Sequence, residues 1–158
     1  MAASAVNTAD LFDERGEELD SVALQFQSLG GHTHFSGPAR TIRCFEDNAL
    51  VKSALATPGG GAVLVVDGGG SLRTALMGDL IAASAIANGW AGVVINGAIR
   101  DRTAIAGLPL GVKALGSNPR KSAKAGTGES GVELEIDGVV VRPGAMIWCD
   151  PDGILVER

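Results

Sequence analysis

The sequence contains no tyrosine, and its aromatic residues are four Phe and two Trp. A core built from this chain must therefore rest on Val, Ile, Leu and Ala. Cysteine is scarce too. Cys44 and Cys149 are too far apart for a zinc-type spacing, which leaves two buried thiols suited to a reducing compartment. The two histidines, His32 and His34, would share one face of a strand, but no thiol or carboxylate stands near them to complete a metal site. With so few histidines and no Gly-x-Ser-x-Gly elbow, the sequence argues against a Ser-His-Asp hydrolase. Basic residues number 13 against 18 acidic ones, a net charge of −5. That balance argues against a broad nucleic-acid footprint. The N-terminus lacks a basic-then-apolar signal pattern, so a cytoplasmic protein is expected.

Glycine, by contrast, is abundant, with 23 residues. The chain also holds one long uncharged run, the 20 residues Leu80–Ile99, bounded by Asp79 on one side and Arg100-Asp101 on the other. A bilayer span needs about that length, but Ser84, Asn88, Gly89, Gly92, Asn96 and Gly97 make the run too polar and broken. Its period changes instead. "GDLIAASAIAN" has helical spacing, and "AGVVING" is a β-branched run between glycines, so helix, Gly89 turn and strand are expected.

The remaining pattern is consistent with an α/β chain of one domain, residues 1–158. Thr8 reads as the N-cap of an opening helix. Strands are expected near 22–28 and 39–45, then a helix over 48–56. "AVLVVD" (62–67) is a continuous apolar strand of the buried parallel type. A helix over 78–88, a strand over 92–96, a short helix after Asp101 and the strand "LGVKALG" follow. "SNPRKSAKAGTGES" reads as a solvated polar loop, with a contact to an anion or a partner through Arg120, Lys121 and Lys124 as the alternative. The rest is strand and turn, with Asp137-Gly138 as a hairpin signal and "DPDG" as a second turn.

The loop "DGGGSL" follows a strand but fails the dinucleotide fingerprint, since position 73 is Arg, and no Gly-Lys-Ser/Thr makes it a P-loop. It reads as a tight turn beside the active site. Gly78–Ile81 is more informative. The free N–H groups at this helix start, with the helix dipole, would receive a small carboxylate. At the other end of the run, Arg100 offers a planar fork for a carboxylate or enolate oxygen. Asp101 is a hard oxygen ligand suited to Mg²⁺ or Mn²⁺.

Asp79, twenty intervening residues and Arg100-Asp101 resemble the motif of the RraA-like family, which groups the regulators of ribonuclease E activity with class II 4-hydroxy-4-methyl-2-oxoglutarate aldolases. "RCFEDNALVKSAL", "VLVVDGGGSLRTALMGD", "GWAGVVINGAIRD" and "GVKALGSNPRKSAKAGTGE" are similar to blocks of that family, in order, from about residue 8 onward. The resemblance implies a compact α/β sandwich with a β-rich C-terminal part, assembled as a homotrimer with sites at subunit interfaces. It implies a divalent metal cation at Asp101, substrate contacts from Arg100 and the backbone of Gly78, Asp79, Leu80 and Ile81, and an Asp79 that orients a metal-bound water. The implied reactions are cleavage of 4-hydroxy-4-methyl-2-oxoglutarate to two pyruvates and decarboxylation of oxaloacetate, both through the pyruvate enolate and without a Schiff-base lysine. Ala104 stands where some relatives are acidic, and dedicated aldolases have a longer C-terminal segment, which implies a weaker metal site and a different true substrate. The alternative role implied is a protein-binding inhibitor of ribonuclease E, whose basic regions an acidic surface could meet.

Overall fold

The computed structural model describes residues 6–158. In chain order the elements are α1 (Thr8–Arg15), β1 (Leu19–Ser21), β2 (Gln27–Ser28), β3 (Phe35–Arg43), α2 (Ala49–Leu55), β4 (Val63–Asp67), β5 (Ala75–Met77) and α3 (Asp79–Ala87). They continue with β6 (Gly92–Ile99), α4 (Arg102–Ala106), β7 (Gly111–Ser117), β8 (Glu129–Ser130), β9 (Leu134–Ile136), β10 (Val139–Val141), β11 (Met146–Asp150) and β12 (Gly153–Glu157). None of the described helices is long and apolar enough to cross a membrane.

One large sheet runs β1-β12-β11-β3-β4-β6-β7-β2, with β5 joined to β6 and β8 to β3. Its centre, β3-β4-β6-β7, is parallel, and its flanks are antiparallel. Strand alternation gives the sheet two apolar faces. Leu64, Val66, Val93 and Ile95 face α2, α3 and α4, in a cluster with Leu55, Ala82, Ala85 and Ile105. Val63, Val65 and Val94 face the other way, onto Leu134, Ile136, Val139 and Val141 of the β9–β10 hairpin and Ile147 and Val156 of β11 and β12. Burying each such side chain contributes about 1.5–3 kcal/mol. Being covered on both faces explains the unbroken apolar run in β4. The result is the expected α/β sandwich with a β-rich C-terminal part.

Several boundaries differ from the sequence expectation. Asn7, not Thr8, caps α1, accepting from the Asp10 N–H at 3.1 Å. Thr8 is drawn instead to the buried Asp150, to which its N–H and hydroxyl each donate at 2.7 Å. Of the expected 22–28 strand only β2 forms, with β1 ending just before that range, because the intervening chain turns away to bond the Leu24 N–H to Asp137 Oδ2. β3 starts earlier than expected, at Phe35. Pro38 is tolerated there because it marks the change of partner from antiparallel β11 to parallel β4. β6 is longer than expected, running to Ile99, with a register shift between Ile95 and Ala98 where β5 joins. The Gly89 turn and the Asp137-Gly138 hairpin occur as expected, with positive φ at all three residues.

Asp150 ties the N-terminal helix to the sheet. Burial disfavours its charged form. Bonds from Thr8, Asp152 and Gly153 outweigh that penalty and hold its pKa below the ordinary carboxylate range. A lowered folded-state pKa gives stability that is complete above the unfolded value, about 4, and that is lost as pH falls through the folded value. Urea unfolding from pH 7 to pH 2 is expected to show an acid-side loss of stability that is reduced in Asp150→Asn. Asp150→Ala is expected to cost about 2–4 kcal/mol at pH 7, because it strands the buried Thr8 N–H and hydroxyl and frees two part-buried N–H groups.

Candidate active site

β5, β6 and β7 run parallel, so their C-terminal ends share one edge of the sheet, where ligands of α/β proteins bind. Met77 is in register with Ile99, and the Arg100 N–H donates to the Met77 carbonyl at 2.9 Å. The chain therefore leaves β5 through Gly78-Asp79 directly beside Arg100-Asp101. The two ends of the uncharged run are adjacent.

The contact between them is specific. The Asp79 N–H, at the start of α3, donates to Asp101 Oδ2 at 3.0 Å. Asp101 thus caps a helix that begins 22 residues before it. Asp101 itself has left-handed backbone angles, φ 58 and ψ 42, at the N-cap of α4. That conformation is unfavourable for a non-glycine residue by about 1–2 kcal/mol. Asp101 Oδ1 accepts no hydrogen bond from the described residues. Gly78 has an ordinary extended backbone, so its requirement is space. A Cβ there would lie 2.7 Å from Asp101 Oδ2 and 3.4 Å from Arg100 Cγ and Nε. The expected anion pocket at Gly78–Ile81 is therefore partly filled by the protein's own carboxylate. The N–H groups of Leu80 and Ile81 remain for a ligand.

These residues head a cleft of about 250 Å³. Asp79, Leu80, Ile81 and Ser84 of α3 form one wall, and Asn48, Lys52 and Ala56 of the α2 segment form another. Arg100, Asp101, Lys121 and Lys124 complete it. Lys52 was not legible as a site residue, whereas Lys121 and Lys124, open from the sequence to an anion contact, do line the cleft. The segment expected to be a solvated loop is stitched down. Ser122 donates to the Ala75 carbonyl at 2.7 Å, and Lys124 Nζ donates to Asn48 Oδ1 at 3.1 Å. Asp47, buried, accepts from the N–H groups of Ala49, Ala125, Gly126 and Thr127. Burial opposes the Asp47 charge, and these four bonds overcome it, leaving its pKa below the usual range. Arg120 does not line the cleft.

The other candidates lie elsewhere. The loop at Gly68–Gly70 is tight, with positive φ at Gly69 and Gly70, but it enters strand β5 rather than a helix and does not line this cleft. His32 and His34 line a separate hollow with Trp90 and Trp148. Cys44 and Cys149 are buried and unpaired. Burial first, then the charges of Asp47 and Asp67, pushes the Cys44 thiol up to about 11. Lys113 is fully buried and donates to the Asp150 carbonyl at 2.7 Å, away from the cleft. Burial lowers its pKa, but it cannot serve as an amine nucleophile in a site it does not line.

No cluster of three His, Cys, Asp or Glu side chains among the described residues could cage a metal ion. The free Oδ1 of Asp101 is nevertheless a hard oxygen donor of the kind a Mg²⁺-type cation takes. Such ions retain several waters and take one or two carboxylates together with substrate oxygens.

The fold and cleft define a small α/β protein with a predominantly cationic site at strand ends. The chain belongs to the RraA-like family, described as Aldolase/RraA, which it matches over residues 8–156. Among solved structures it is similar to a protein from Geobacillus kaustophilus HTA426 named S-adenosylmethionine:2-dimethylmenaquinone methyltransferase. Identity is 50% and the TM-score 0.95, over 96% of this chain and 94% of that one. It is also similar to the RNA-processing inhibitor RraA from Thermus thermophilis, with 48% identity and a TM-score of 0.93, over 99% of this chain and 93% of that one. RraAS2 of Streptomyces coelicolor, an unusual member of the RNase ES inhibitor RraA family, shares 27% identity with a TM-score of 0.76, covering 98% and 79%.

Gly78→Ala is expected to leave stability within about 1 kcal/mol, because the short Asp101 side chain can rotate aside. Its crystal structure should show the carboxylate displaced from the Asp79 N–H. An unmoved Asp101 would disprove the close-approach requirement.

Proposed function

We propose that this protein is a divalent-metal-dependent lyase that acts on small 2-oxo acids through a pyruvate enolate. The observation that carries the reading is the braced Asp101 carboxylate beside Arg100, at the head of a cleft whose cations outnumber its carboxylates. The substrates proposed are 4-hydroxy-4-methyl-2-oxoglutarate and oxaloacetate. In both, the C3–C4 bond breaks and its electron pair passes toward the 2-oxo oxygen. The second fragment is pyruvate in one case and carbon dioxide in the other. Proton delivery to C3 of the enolate then gives pyruvate.

A divalent cation at Asp101 would supply Lewis-acid charge beside the 2-oxo group. The chain's own contributions are distinct. The Arg100 guanidinium is a preorganised positive fork for the substrate carboxylate and the forming enolate oxygen. Leu80 and Ile81 N–H groups orient the carboxylate. Asp79, half-buried at the lip of the cleft, is placed to hold a proton at its carboxylate, directly or through one water. Leu80 is 82% exposed at that lip. In a homotrimer with sites at subunit interfaces a neighbouring copy would cover it and exclude water. We place this activity in the cytoplasm.

A second role is favoured by a separate observation, the 48% identity to an RNA-processing inhibitor over nearly the whole chain. This role is inhibition of ribonuclease E through the outer surface. It needs neither Arg100 nor Asp101.

Pyruvate release from the two substrates, with and without Mg²⁺ or Mn²⁺, tests the enzymatic reading. Asp101→Ala is expected to abolish metal-dependent turnover while costing stability no more than the loss of one exposed helix cap, about 1 kcal/mol. Arg100→Lys keeps the charge but loses the fork, so kcat/KM should fall by about ten- to a few hundred-fold. Ribonuclease inhibition, measured on the same preparation, should survive. Lost inhibition with unchanged oxaloacetate decarboxylation would make Arg100 an interaction residue instead. Light scattering should show three copies per particle, and a monomer would remove the interface site.

A further inference from the structure

The α2 side of the cleft carries two ammonium groups without a counter-ion. Lys52 and Lys124 both line it, and neither is paired with a carboxylate among the described residues. Lys124 is bonded to a neutral acceptor, Asn48 Oδ1. Lys52 lies one helical turn beyond Asn48, its N–H donating to the Asn48 carbonyl at 3.0 Å, so both side chains rise from the same face of the α2 segment. The neighbouring acid, Asp47, forms no ion pair with them. Both of its oxygens are committed to four backbone N–H groups, and it is buried. These bonds also fix the loop that delivers Lys124. The chain has a surplus of acids, with a net charge of −5, yet none of the described ones pairs with these two lysines.

Two unneutralised cations on a pinned framework are suited to an anion that arrives with the ligand. Resting on the reading that Arg100 receives the 2-oxo acid end of the substrate, we propose that Lys52 and Lys124 form a subsite for a second, distal carboxylate. Lys52 is then a specificity-determining residue. It selects 2-oxo dicarboxylates over 2-oxo monocarboxylates, and Lys124, held by Asn48, completes the subsite.

The test is equilibrium titration calorimetry on the full chain with saturating Mg²⁺, using pyruvate as the monocarboxylate probe and 2-oxoglutarate as the dicarboxylate probe. Wild-type protein should bind 2-oxoglutarate more tightly than pyruvate. Lys52→Met should weaken 2-oxoglutarate about tenfold or more, the loss of one charge-assisted contact. Pyruvate affinity should change by less than about twofold, since in this arrangement its single carboxylate is held by Arg100. Lys124→Met should act in the same direction, and thermal unfolding of both variants should match wild type. Equal weakening of both probes, or no change in either, overturns the subsite while leaving the 2-oxo acid reading in place. Wild-type protein that binds pyruvate but shows no preference for the dicarboxylate overturns it equally. Failure of wild-type protein to bind either probe overturns the 2-oxo acid reading itself, and the subsite with it.

Discussion

The cleft depends on one hydrogen bond, from the Asp79 N–H to Asp101 Oδ2. It joins the first turn of α3 to the end of β6, and it forms only because β5 and β6 lie parallel with Met77 opposite Ile99. Gly78 must lack a side chain for the carboxylate to approach, and Asp101 must adopt left-handed angles to aim it. One unfavourable local feature, the Asp101 backbone, is therefore held in place by the surrounding sheet. Strain of this kind persists where the packed structure over-determines it, and it concentrates at functional sites. One oxygen of Asp101 is consumed by the brace, which leaves the other free. The arrangement fixes the direction of the remaining lone pairs, as a ligand for a cation or a polar substrate requires.

Charge in the cleft is arranged on the same principle. The chain is acidic, yet Lys52, Arg100, Lys121 and Lys124 surround the space beside Asp79 and Asp101. The lysines come from α2 and from a loop that composition alone suggests should be loose. Asp47 prevents that looseness. It replaces water at four backbone N–H groups, and the lowered pKa is the titration signature of those bonds. A carboxylate used in this way organises cations without cancelling them. Acid is therefore expected to loosen the loop and disperse the cleft as Asp47 becomes protonated. The two proposed roles would draw on different parts of the molecule, the cleft for catalysis and the outer surface for ribonuclease inhibition.

Much of the fold could be read in advance. The switch from helical to β-branched spacing around Gly89 located α3 and β6, and the unbroken apolar run of β4 announced a strand covered on both faces. These signals are local or follow from burial, so they survive in a single sequence. The errors share a cause. Thr8 has the ordinary chemistry of a cap, but a buried carboxylate 142 residues away competes for its hydroxyl. The 22–28 segment has strand-like residues, yet a side chain from the β9–β10 turn takes one of its N–H groups. Local propensity has no access to such distant partners.

The site divides along the same line. The amino-acid sequence by itself determined that Asp79 and Arg100-Asp101 bracket one helix–turn–strand unit, and that the residue types suit carboxylate and hard-cation chemistry, because these properties belong to the residues and their spacing. Only the tertiary structure decided that Asp101 caps α3 and that Gly78 makes room for it. It alone decided that Lys52 and Lys124 share this cleft, while His32 and His34 lie in another. Those outcomes depend on which strands become neighbours and on where a loop is pinned. Parallel pairing and buried backbone hydrogen bonds set both, and they connect residues that the linear chain keeps far apart.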